Sequence, residues 1–121
     1  ELKEKGYITP APFDEKIEWT WWAIWHQEGR RGRHGAAMMG PDYTWWHGIY
    51  EVAKHTYFDW IPELKEVVHA KDKNDKFAVA LLEKHFKPLE GHDWYFNGLS
   101  KESLEKVRAG FEARYGKGSL K

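Results

Sequence analysis

Residues 19–47 of this chain read WTWWAIWHQEGRRGRHGAAMMGPDYTWWH and hold the side chains best able to do chemistry. His26, His34 and His47 can each offer a neutral ring nitrogen as a ligand. Arg30, Arg31 and Arg33 offer planar forks of donors that match carboxylates. Trp19, Trp21, Trp22, Trp25, Trp45 and Trp46 supply large flat surfaces with one donor each. Gly29, Gly32, Gly35 and Gly40 let something bulky come close to the backbone. Together these types suit a wall built against flat, aromatic, redox-active cofactors. The chain contains no cysteine, so it has no CxxCH segment with which to attach such a cofactor itself.

Spacing narrows the chemistry. His26 and His34 are eight residues apart, as are His47 and His55. Eight residues turn a helix by about 800°, which leaves the members of each pair roughly 80° out of line. Neither pair has the i, i+4 spacing of HExxH, so mononuclear zinc is disfavoured. Separate histidines serving separate large cofactors fit the spacing better. A lone histidine is ordinarily a surface or hydrogen-bonded core residue, and His55, His69, His85 and His92 carry no context against that reading. His34 beside Gly35 and His47 beside Gly48 do, because a flanking glycine clears space next to the ring. The three arginines read equally as a solvated charge cluster or as partners for carboxylates such as haem propionates. Tyr43 either begins an apolar stripe or projects from a helix end to reach a neighbouring surface.

The elements that must position these groups read as helices. Residues 1–13, with Gly6, Pro10 and Pro12, read as an extended arm lying on something else. Asp14 reads as the cap of a first helix over about 15–33, whose aromatics spill onto more than one face. Glycines at 29, 32 and 35 each weaken that helix by roughly 1 kcal/mol relative to alanine, so close packing must hold it. Gly40-Pro41-Asp42 stops one helix and restarts another, with Asp42 as the cap of a helix over about 43–70. Along it Tyr43, Trp46, Tyr50, Ala53, Tyr57, Trp60, Leu64 and Val67 step by threes and fours, the pattern of a bundle or coiled-coil seam that Pro62 kinks without ending. A third helix over about 75–87 follows. Ser100 caps a fourth, with Leu99 stapled to Leu104. No run asks for a sheet, so the fold class is all-α: long helices in a stem, with 1–13 as the arm, 14–40 as the cofactor-facing region and 41–121 as the stem and C-terminus.

Composition sets the outer bounds. At 121 residues the chain is one small domain or a segment of a larger one. Lys+Arg and Asp+Glu balance at 19 each, so no bulk field draws it to nucleic acid or an anionic membrane. No apolar run reaches the length of a membrane span. With 17% aromatic residues, the chain has more ring area than four short helices can hide, and the N-terminal half is expected to pack on another polypeptide or a cofactor.

The run WHQEGRRGRHGAAMMGPDYTWWHGIYEVAKHTY at 25–57 resembles the C-terminal part of octahaem hydroxylamine oxidoreductases, the family that includes hydrazine dehydrogenase. GHDWYFNGLSKESLEKVRAGFEARYG at 91–116 is similar to that family's last helix and terminus. The family's CxxCH segments are missing, so the resemblance is to its haem-free C-terminal segment. It implies an extracytoplasmic (periplasmic) location, a trimeric or higher assembly, and haem c attached through a cysteine-bearing multihaem polypeptide. It further implies oxidation of a small nitrogen compound, hydroxylamine or hydrazine, at a modified haem bonded covalently to a tyrosine of a neighbouring subunit. Tyr43 in GPDYTWWHG matches that tyrosine. His34 in RHG and His47 in WWHG match distal haem ligands, with His26 a further candidate. Arg30, Arg31 and Arg33 would meet propionates, and the tryptophans, Trp46 among them, would pack on porphyrin faces. The alternatives are a non-catalytic helical assembly module of a multihaem complex and a domain that binds free haem through His34 or His47.

Overall fold

The structure, a computed structural model, describes residues 1–89 and 91–118. Every regular element among them is helical, with no strand, as the sequence predicts. The chain divides into two compact units, residues 1–78 and 79–121.

The first unit is a pair of long helices. The first runs through α1 (Lys16–Trp22), π1 (Ala23–Glu28) and α2 (Gly29–Ala37). The second runs through α3 (Pro41–Thr44), π2 (Trp45–Tyr50), α4 (Glu51–His55), π3 (Thr56–Trp60) and α5 (Ile61–Lys71). They return on each other, with α2 against α3 and π2, π1 against α4, and α1 against π3. Ile17, Ile24, Ile61, Leu64, Val68, Ala78 and Ile8 are buried, and Ile61, Leu64 and Val68 are fully so. Each such aliphatic side chain contributes about 1.5–3 kcal/mol over its exposed state.

The helix boundaries correct several expectations. Glu15, not Asp14, caps α1, because its carboxylate and that of Glu18 form a reciprocal capping box. Asp14 instead accepts a hydrogen bond from the Thr9 hydroxyl. The first helix runs four residues past the expected end at 33, since Gly32 and Gly35 face the second helix rather than breaking the first. Its end is a Schellman turn: Gly40 N–H donates to Gly35 O at 2.7 Å and Met39 N–H to Ala36 O at 3.3 Å, with Met39 at φ 54°. Gly40 then caps the second helix with Pro41 in its first turn, so Asp42 lies inside the helix. The long helix spans the expected 43–70 and continues through Pro62. Just before it, Ile61 N–H donates to Thr56 O in a wide turn, so the proline's missing donor falls where the ladder is already shifted.

A Cβ at Gly48 would lie 2.5 Å from Gly32 Cα, and one at Gly35 would lie 2.6 Å from Thr44 N. The two backbones touch at this crossing, which is where the expected close packing resides. Gly48→Ala is expected to force the helices apart and cost about 1–3 kcal/mol, read as a lowered midpoint in thermal unfolding by circular dichroism. An unchanged midpoint would show that the crossing yields freely.

Residues 1–13 are not extended, and they lie on their own chain. Lys5 N–H and Tyr7 N–H close turns onto Glu1 O and Leu2 O. Tyr7 stacks on Phe77 at 4.7 Å, Ile8 is buried, and the Lys71 ammonium donates to Gly6 O. Lys3 Nζ meets Glu18 Oε1 at 2.6 Å, and that hydrogen bond holds the Glu18 carboxyl below its ordinary value. A depressed carboxylate contributes stability above its ordinary pKa and loses it as pH falls through the depressed one. The arm is therefore expected to loosen from α1 at pH below the usual glutamate range, seen as lower amide protection at 3–7 relative to the intrinsic exchange rate at each pH, and Lys3→Met should remove that change in protection. In the same first turn of α1, Lys16 Nζ meets Glu63 Oε1 at 2.8 Å, which raises the lysine's pKa.

In the second unit, α6 (Lys76–His85) begins in the first, and its Leu81 and Leu82 are buried. A short helix, α7 (Asp93–Asn97), was not legible in the sequence. α8 (Lys101–Tyr115) starts where expected, with Ser103 N–H donating to the Ser100 hydroxyl at 3.1 Å. The expected Leu99–Leu104 staple leaves both side chains exposed.

Candidate functional site

Trp22, His26, Gln27, Arg30, Arg31, His34, Gly35, Met38, Gly40 and Tyr43 line one cleft of about 560 Å³. Most come from one face of the first helix, where 22, 26, 30 and 34 recur every fourth residue. Tyr43 enters from the start of the second, just beyond the Schellman turn. The cleft thus gathers five of the residues the sequence singles out: His26, His34, Arg30, Arg31 and Tyr43.

His26 is held by rings: Trp22 stacks on it at 4.6 Å and 28°, and Trp25 meets it edge-on at 5.1 Å. Neither His26 nor His34 has a hydrogen-bond partner for its ring nitrogens among the described residues. Tyr43 is 57% exposed. Of the arginines, Arg30 and Arg31 face the cleft while Arg33 does not line it. Arg31 Nη1 reaches Glu51 Oε2 across the helix pair at 3.5 Å.

His47 and Trp46 lie elsewhere. The His47 ring packs on Tyr43 at 5.4 Å, with Nε2 facing Asp42 Oδ2 at 3.4 Å and Nδ1 facing Glu51 Oε1 at 3.6 Å. The glycines beside His34 and His47 do not clear space for these rings, because Gly35 and Gly48 are both buried at the helix crossing. Trp45, Trp46, Ile49 and Tyr50 form a second, apolar hollow of about 390 Å³. Trp45 and Trp46 are 61% and 62% exposed.

One pair escapes a reading of the sequence. Glu28 is 5% exposed, its Oε1 lies 2.6 Å from His55 Nδ1, and its Oε2 is buried with no hydrogen-bond partner. Asp59 Oδ2 stands 4.0 Å from the other ring nitrogen. A signal for it exists: Ile17, Ile24, Glu28 and Gly35 follow one buried face, and a glutamate on such a face demands a partner. Among the described residues no three histidines, aspartates or glutamates are grouped so as to hold a metal ion, and no helix is long and apolar enough to cross a membrane.

In comparison with known proteins, no protein family, no curated protein and no solved structure matches this chain.

Proposed function

We propose that the chain is a subunit or segment of a multihaem oxidoreductase that oxidises a small nitrogen compound, hydroxylamine or hydrazine. It supplies distal ligands, propionate partners and a cross-linking tyrosine to haems held by a cysteine-bearing polypeptide in an extracytoplasmic assembly. The observation that carries this reading is the convergence of His26, His34, Arg30, Arg31 and Tyr43 on one cleft.

The donor set of that cleft fits a haem edge. Imidazoles free of other partners offer ligand nitrogens. Guanidinium forks match carboxylates bidentately, and Trp22, packed behind His26, keeps the ring in place. When bound, the haem would supply the electron-accepting iron. The protein's own part is to position, to exclude water and to present the Tyr43 hydroxyl to a neighbour. His47 lies outside the cleft and, on this reading, serves a separate haem. The exposed stripe of Tyr43, Trp46 and Tyr50 supplies the contact surface of a helical stem in a trimeric or higher assembly.

His34→Ala in the assembled complex tests the ligand role. One haem should become open to carbon monoxide with its attachment intact, because attachment lies on the partner. An unchanged carbon monoxide spectrum would make His34 structural. Visible absorption separates the alternatives: an assembly module shows no Soret band of its own, and a free-haem domain shows one that solvent extraction removes.

A further inference from the structure

Glu51 bridges the two groups of site residues. Its Oε2 lies 3.5 Å from Arg31, which lines the cleft, and its Oε1 lies 3.6 Å from His47 Nδ1, which does not. Both contacts are long and both side-chain partners are nearly half exposed, so neither holds Glu51 tightly. Arg30 shares the cleft and has no ion-pair partner among the described residues. A carboxylate entering the cleft beside Arg30 and Arg31 therefore competes with Glu51 for Arg31.

We propose that the cleft binds the carboxylate group of a flat aromatic anion through Arg30 and Arg31, and that Glu51 transmits its occupancy to His47. With Arg31 recruited to the anion, Glu51 is released to accept the Nδ1–H of His47. That contact holds the proton on Nδ1 and fixes the ring's tautomer and orientation, with Nε2 still facing Asp42 Oδ2 at 3.4 Å. Coupling of this kind is reciprocal, so fixing His47 also strengthens anion binding. No long pathway is needed, because a single side chain contacts both sites. The inference rests on the cleft being a binding site, as proposed above, and adds a link between it and a histidine outside it.

Benzoate, with benzamide as its uncharged counterpart, probes this in the full chain. Side-chain NMR follows the arginine Nε–H signals and the imidazole signals of His34 and His47. Benzoate is expected to shift the Arg30, Arg31 and His47 signals along one saturation curve, and benzamide to shift none of them. Glu51→Gln should abolish the His47 response while the arginines still respond, and Arg31→Gln should abolish it while Arg30 still responds. A His47 response that survives in Glu51→Gln, or arginine responses without one at His47 in the wild-type chain, would overturn the link. No response at either arginine would remove the anion site and the inference with it, while the haem-ligand role of His34 would still stand or fall on carbon monoxide binding.

Discussion

His55→Ala is expected to cost about 3 kcal/mol of folding stability. Removing the hydrogen-bond partner of a buried group costs the desolvation penalty of the group left behind, about 3 kcal/mol or more for a charged one. Glu28 is that group: its Oε1 would lose the 2.6 Å contact, and its Oε2 already has no hydrogen bond. The lower figure applies because the His55 side chain is 30% exposed, and water can enter the space the ring leaves. Urea denaturation followed by tryptophan fluorescence measures the loss. The double variant Glu28→Leu/His55→Phe should recover most of it, since an apolar pair of similar volume needs no desolvated charge. A loss within about 0.5 kcal/mol, the range of an ordinary surface substitution, would mean that Glu28 finds another partner.

Much of this architecture can be read from the residues. The helix over 43–70, the restart at Gly40-Pro41 and the Ser100 cap are local signals, and local signals survive into the fold. The glycines at 29, 32 and 35 mark a stretch held by close packing, and Gly32 and Gly35 lie at the crossing. The face that packing uses is less legible. A regular count puts Tyr43, Tyr50, Tyr57 and Leu64 in one seam. The wide turns π2 and π3 add residues to the count, so the stripe is exposed at Tyr43, Trp46 and Tyr50 and becomes core only at Leu64. The same limit governs the site. Histidine spacing describes each helix alone, while the cleft is set by the return of the second helix, which brings Tyr43 to the cleft of His34 and turns His47 away. Glu28 and His55 lie 27 residues apart, and only the helix crossing makes them neighbours.

On the proposed function, Tyr43→Phe is expected to separate assembly from chemistry. Tyr43 is 57% exposed and its ring packs on that of His47, so losing the hydroxyl removes little packing. The variant should keep the same fold and the same assembly. It lacks the oxygen needed for a covalent link, so the modified haem's spectrum should revert toward that of an ordinary five-coordinate haem. Oxidation of hydroxylamine or hydrazine should fall by a factor of about 100 or more, on the order of 3 kcal/mol of barrier. Equal losses of assembly and of oxidation would instead assign Tyr43 to the packing surface.

On the proposed function, this chain lends a tyrosine to a haem it cannot attach by cysteine. Mass spectrometry of the native assembly under denaturing conditions, with peptide mapping across residues 41–47, tests that claim most directly. The peptide containing Tyr43 is expected to carry the mass of a haem, or of a haem-bearing partner peptide after digestion, and Tyr43→Phe to abolish it. A wild-type chain running at its bare polypeptide mass would contradict the tyrosine link and leave a helical assembly module in its place.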